Sequence, residues 1–313
     1  MKILRPIVIF GVVLAAIVVG MRFTAHHEGK IFMTLYMHLM PSQLVAPAAE
    51  HAEHAAHAEP LFKLPLPHAL RAFDMDRTGH GAYLVATNLQ VFQIAAVLLI
   101  FVCFMGVPGH LRKGGGDATS RMFAGFAHWI RDEMVVPVMG KEVGNKLLPL
   151  FLTVFFFIMF MNVLGLVPGA ATATASIFVT GALALITFGT MVVGGMVVQG
   201  PIAFWKHLVP HVPLALWPLM FAVEVVGLIV KPIALMIRLF ANMTGGHLAV
   251  LSLMGLVFFF GGMSPVVGWA SSPVAVGLAV FIMIIESFVA LLQAYIFTTL
   301  SIIFVQASLH PEH

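Results

Sequence analysis

From Leu214 to Phe260 the chain is apolar almost without interruption, and that single run admits few folds. As one helix it would measure about 70 Å, at about 1.5 Å per residue, against a bilayer hydrocarbon core of about 30 Å. It is therefore either a steeply tilted membrane helix or a helix broken near Gly245-Gly246. Composition fits a membrane setting. Charged residues make up 9% of the 313, where soluble domains carry about 25%. A water-soluble enzyme does not fit that figure, and a disordered chain does not fit the 60% hydrophobic content. A net charge of +3, with no basic run longer than Arg112-Lys113, gives no nucleic-acid footprint. The lone Cys103 permits neither an intrachain disulfide nor a cysteine metal cluster.

The remaining segments divide the chain into an N-terminal membrane anchor or signal peptide (1–25), a polar extracytoplasmic segment (26–88) and a membrane domain (89–313). Pro6 to Met21 is short for a span and is preceded by Lys2 and Arg5. The poor cleavage signal near Phe23-Thr24-Ala25 favours an uncleaved anchor over a signal peptide. The polar segment holds His51, His54 and His57 at intervals of three. A low-complexity tether is the plain reading, zinc binding the alternative. No His-Glu-x-x-His metalloprotease pattern occurs.

Leu89 to Val107 reads as a span. The loop to Lys146 is rich in Lys and Arg, including Arg112, Lys113 and Arg121, which places it in the cytoplasm. Within it Phe123, Phe126, Ile130 and Met134 recur at helical spacing beside Trp129, as in a helix lying at the interface; a simple loop helix is the alternative. Spans follow at Leu147–Val167 and Ile177–Val198, joined by a short turn of Ala and Thr. Gly261 to Pro273 reads as an outer turn, and Val274 to Val305 crosses back to a polar tail at Ser308–His313. With the anchor this makes six crossings and both termini inside. The fold class is all-α, a polytopic transmembrane bundle.

Ionisable groups are costly inside a bilayer, so each needs a reason. From Leu147 to His310 the only Asp, Glu, Lys or Arg are Lys206, Glu224, Lys231, Arg238 and Glu286. On a helix turning about 100° per residue, Glu224, Lys231, Arg238 and Asn242 point within about 40° of one another. The steps between them are filled by Gly227, Ala234, Ala241 and Gly245. Small residues let another helix approach closely, whereas a lipid-facing row would be Leu, Ile, Val or Phe. This face therefore meets protein or a water-filled cleft.

The Arg238 guanidinium stays charged at any accessible pH, so it is a fixed cation and not a proton carrier. Glu224 lies about 21 Å away along the axis and cannot pair with it. Glu286 of the last span can, as can a carboxylate on another subunit. A static ion pair that sets helix register is one reading of Arg238; action on a moving or titrating anion is the other. His247, nine residues on, points to the opposite side, toward the other spans. Glu286 and Gln293 share a face of the last span. A His247–Glu286 contact would place a proton-exchangeable pair in the membrane, or simply a structural hydrogen bond. Lys231 reads as a cytoplasmic-end lysine that snorkels.

At these residues the chain resembles subunit a of the F-type ATP synthase membrane sector. The resemblance rests on Glu224, on Lys231-Pro232, and on Arg238-Leu239-Phe240-Ala241-Asn242-Met243 followed by Gly246. Gln293-Ala294-Tyr295-Ile296-Phe297 matches a second signature, and Phe160-Met161-Asn162 with Gly165 and Pro168 an earlier one. It covers roughly Asn88 to Ser308 and leaves the N-terminal segments aside. The acid and the histidine stand in either order in the family; here His247 is on the arginine helix and Glu286 on the last. Gly165 replaces an acid found in some members.

The resemblance implies a stator in a bacterial inner membrane, with the long tilted helix pair facing a rotor ring of c subunits. It further implies a subunit b stalk, the remainder of the F1F0 complex and the lipid bilayer as partners, with no cofactor and no metal. Arg238 would meet the ring carboxylates and separate two half-channels. Asn242, His247, Glu286 and Gln293 would line the outer route and Glu224 the inner one. Gly227, Ala234, Ala241 and Gly245 would form the close-approach seam to the ring.

Two other classes compete. A proton-coupled secondary transporter would also use buried Arg, His and Glu, but would show internal repeats and a midplane cavity. An intramembrane protease would need a metal or a Ser/Asp constellation. The chain has no Gly-x-Ser-x-Gly, and no Asp after Asp132.

Overall fold

A computed structural model describes residues 8–15, 18, 63–65, 83–85, 88–113, 117–167, 172–209, 212–213 and 215–309. The His-rich segment, Pro168 and the polar C-terminal tail beyond Leu309 lie outside the described residues. So does most of the expected anchor. Residues 8–15 of that anchor are helical, and Ile9, Val12 and Val13 pack on the core. In the polar segment, strands β1 (Lys63–Pro65) and β2 (Tyr83–Val85) pair antiparallel.

The membrane domain is helical. In chain order come α1 (Asn88–Phe104), α2 (Val107–Lys113), α3 (Ala118–Trp129), a π-helical turn (Ile130–Val135), α4 (Val136–Gly165), a 3-10 turn (Ala173–Ala175), α5 (Ile177–Gln199), α6 (Pro201–His207), α7 (Trp217–Met263) and α8 (Pro265–Leu309). Among the described residues, five helical stretches are long and apolar enough to cross a membrane: Leu89–Arg112, Ala118–Gly165, Ile177–Gln199, Trp217–Met263 and Pro265–Leu309. A helix satisfies its own backbone groups, which is why it is the element that long apolar sequences form in lipid.

The second of these stretches is bent back on itself. Gly140 has φ 74° and ψ 170°, a conformation open to glycine and costly for other residues. Nothing lies within 4 Å of a Cβ built there, so backbone conformation alone requires the glycine. The reversal lays the Phe123 ring 5.5 Å from Phe156 and 6.3 Å from Phe160. Phe104 of α1 joins them, 5.4 Å from Phe123 and 4.9 Å from Phe156. Tilted and edge-on ring pairs of this kind add about 0.5–1.5 kcal/mol each beyond burial. Of the residues expected on an interfacial helix, Phe123, Ile130 and Met134 are buried, while Phe126 and Trp129 are exposed.

The α7–α8 pair is the most extensive interface. The extended residue Ser264 (φ −159°, ψ 132°) turns one helix into the other. The hairpin tip is tight, because a Cβ on Gly268 would come within 2.6 Å of the Gly261 Cα. Going down the antiparallel pair, Gly246 meets Glu286, Asn242 meets Gln293 and Lys231 meets Phe304.

One alternative is decided and one expectation changes here. The long helix is continuous over 47 residues and is not broken at Gly245-Gly246. Its interior Pro232 is accommodated on the buried face, where neighbouring helices pack. The outer turn does not extend to Pro273; that proline lies inside α8, which starts at Pro265. Pro265 is the first residue of α8, where a missing N–H costs nothing, and of this stretch Gly268 is the residue buried against α7.

Candidate functional site

The buried stripe of α7 is Leu228, Pro232, Leu235, Leu239 and Met243, at steps of three and four. That stripe holds the helix against α8 and α5 and so decides what the other face shows. Ala234, Arg238, Ala241 and Gly245 are exposed; Glu224, Gly227 and Lys231 are half-buried. A Cβ on Gly227 or Gly245 would meet nothing within 4 Å. The row of small residues is thus an open groove in this chain.

Arg238 stands in that groove with no carboxylate of the described residues in ion-pair contact. The pairing with Glu286 expected as one option does not form. Glu286 lies on the inner side of α8, 5% exposed, and its carboxyl packs over Gly246. Glu224 makes no ion pair with a described residue either. Lys231 places its ammonium 5.9 Å from the centre of the Phe304 ring, a cation–π contact.

Behind the groove the polar residues gather. Asn242, at the margin of the exposed row, donates from Nδ2 to Gln293 Oε1 at 2.9 Å. His247 faces inward, its Nε2 3.6 Å from Glu286 Oε1. The same Nε2 lies 2.5 Å from Thr172 Oγ1. Thr172 also donates to the Gly165 carbonyl at 3.2 Å. Glu286 Oε1 and Gln293 Nε2 are buried and make no hydrogen bond within the described chain. Leaving such groups unpaired costs about 1–3 kcal/mol each, and sites that do so usually have a use for them.

A second, wholly buried cluster supports this one. Asn162 donates to the Ala290 carbonyl at 3.0 Å and accepts from Thr174 Oγ1 at 2.8 Å. It ties α4, the 3-10 turn and α8 together at the level of the His247 contacts. Thr172 and Thr174 are the residues that sequence reasoning passed over as a plain Ala/Thr turn. The signal available was slight: two hydroxyls a few residues after Gly165.

The family model described as ATP synthase A chain matches residues 90–306. The chain belongs to the ATP synthase A chain family. It is 46% identical over 230 residues to ATP synthase subunit a of Myxococcus xanthus (strain DK1622), covering 73% of this chain and 74% of that protein. It is 37% identical over 245 residues to ATP synthase subunit a of Chloroherpeton thalassium (strain ATCC 35110 / GB-78), covering 77% and 69%. It is 34% identical over 297 residues to ATP synthase subunit a 2 of Chlorobaculum tepidum (strain ATCC 49652 / DSM 12025 / NBRC 103806 / TLS), covering 86% and 80%. The family match takes in every member of the groove and of the polar cluster behind it, and starts after the β1–β2 segment.

Proposed function

We propose that this chain is the proton-translocating stator of a rotary ATP synthase in a bacterial inner membrane, and that Arg238 acts on carboxylates carried past it by a ring of c subunits. Family membership makes the chain a membrane subunit of an ATP synthase and not the catalytic one. The observation that carries the finer reading is the exposed Arg238, without an ion-pair partner among the described residues, in a groove of Gly and Ala with the titratable pair held behind it.

A guanidinium at membrane depth favours the ionised form of a carboxyl that faces it, so a carboxyl arriving protonated gives up its proton. Because Arg238 keeps its own protons, it passes none on and separates the two sides of the path. The open groove supplies the close approach this needs. On the outer route Asn242, His247, Glu286 and Gln293 offer exchangeable protons and unpaired polar atoms. Glu224, half-buried one end of the groove away, serves the inner route. A subunit b stalk holds the chain still while the ring turns.

Purification in mild detergent tests this directly. The chain should come away with a small two-helix ring protein and the other subunits of the complex. Isolation as a free chain that performs substrate counterflow would overturn the reading in favour of a secondary transporter.

A further inference from the structure

We infer that Thr172 is a positioning residue for His247, a two-way hydrogen-bond partner seated in the space that the missing side chain of Gly165 leaves. The inference rests on the proton-path reading of His247 and Glu286 given above.

The geometry is specific. A Cβ on residue 165 would lie 2.7 Å from both Thr172 Oγ1 and Thr172 Cγ2. Any side chain at that position would push the threonine away, so glycine there is what admits the hydroxyl. Thr172 is buried, and its Oγ1 reaches both the Gly165 carbonyl and His247 Nε2. The 3-10 turn that follows is pinned by Thr174 on Asn162 and by the Ala175 carbonyl, which accepts from Thr244 Oγ1 at 3.4 Å. The segment is therefore anchored on α4 and on α7 directly after the hydroxyl.

A histidine that gives and takes a proton at one nitrogen needs a neighbour that can both accept and donate there. With a proton on Nε2, the ring donates to Thr172 Oγ1 while the hydroxyl donates to Gly165. With Nε2 bare, the hydroxyl rotates and donates to the ring. One bond rotation keeps the nitrogen paired in both states, so neither carries the penalty of a buried unpaired group. Among the described residues, Glu286 of α8 is the titratable side chain that approaches that nitrogen, at 3.6 Å against 2.5 Å for the hydroxyl, and α5, the 3-10 turn and the Leu147–Gly165 part of α4 carry none. Arg238 is on the opposite side of α7.

The test compares Thr172→Ser with Thr172→Ala in membrane vesicles holding the whole complex. The two variants differ by one hydroxyl and nothing else. ATP-driven proton pumping, and passive proton conductance after removal of the soluble sector, should fall about tenfold in the Ala variant, the rate equivalent of about 1.4 kcal/mol. The Ser variant should stay within about twofold of the unaltered chain. Gly165→Ala, which keeps the hydroxyl but displaces it, should match Thr172→Ala. Equal activity in the Ser and Ala variants overturns the inference. If either fails to assemble with its partner subunits, the Gly165→Ala variant decides alone: full conductance overturns the inference and lost conductance upholds it. Arg238→Ala in the same vesicles separates the two levels of argument. Pumping by that variant rejects the proton-path reading itself, whereas its silence beside a fully active Thr172→Ala rejects only the role of Thr172.

Discussion

The Asn242 amide donates to Gln293 Oε1 across 2.9 Å, and that bond joins the exposed groove of α7 to the buried face of α8. Four residues before Asn242, on the same side of the helix, stands Arg238. Gln293 Nε2 is buried and makes no hydrogen bond among the described residues. On the proposed reading, the proton path from His247 and Glu286 toward the groove would run past this pair.

Replacing Arg238 with Ala removes the cation that, among the described residues, stands in the exposed part of the groove. ATP-driven proton pumping in vesicles should be abolished, while ATP hydrolysis by the soluble sector continues. Acridine-dye quenching beside a phosphate-release assay reads both. Pumping at normal coupling would reject the central assignment.

His247 and Glu286 should be exchangeable. The two side chains meet across an antiparallel pair, 3.6 Å apart, with Gly246 making room on the α7 side. His247→Glu combined with Glu286→His should keep more pumping activity than either single change. Equal loss in all three variants would dissolve the pairing.

Gly246→Ala tests the seat of Glu286. The new Cβ would lie 2.5 Å from Glu286 Oε1 and 2.6 Å from its Cδ, so the carboxyl must move. Alanine is the better helix former by about 1 kcal/mol, so helix stability should rise or hold. Proton conductance should nevertheless drop severalfold. Unaltered conductance would show that the position of the carboxyl is immaterial.

Cysteines at Gly227, Ala234 and Ala241 should crosslink to ring helices under mild oxidation more readily than cysteines at Leu235 and Leu239. The first three lie along the open face and the last two are buried within the chain. Yields on a denaturing gel give the comparison, and an absence of preference would remove the close-approach argument.

Asn162→Leu should loosen the bundle. It leaves Thr174 Oγ1 without its acceptor in a fully buried setting, at a cost of about 1–3 kcal/mol. The thermal dissociation midpoint of the purified complex should fall by several degrees, with conductance reduced as the 3-10 turn shifts. An unchanged midpoint would mean that the clamp is not needed.

The groove was legible in the sequence because helical periodicity is rigid. Once Glu224, Lys231 and Arg238 are placed on one helix, Ala234, Ala241 and Gly245 follow onto the same side and His247 onto the other. The apolar length of α7 and α8 was legible for the same reason. Side-chain partners between elements were less so. Periodicity gives a direction but no register, so Glu286 stood as a partner for both Arg238 and His247 until the antiparallel pairing placed it over Gly246. The tight turn at Ser264 was hidden because Gly261, Gly262, Pro265 and Pro273 carry loop chemistry in water, yet all four sit in helix here. Thr172 was hidden because its role depends on a side chain that Gly165 lacks, and sequence pattern marks what is present.

The continuity of α7 has a mechanical consequence. Arg238 and His247 stand about 13 Å apart on one unjointed rod, facing opposite ways. With no break in the helix between them, a shift of the shaft at the guanidinium is carried to the imidazole on the far flank.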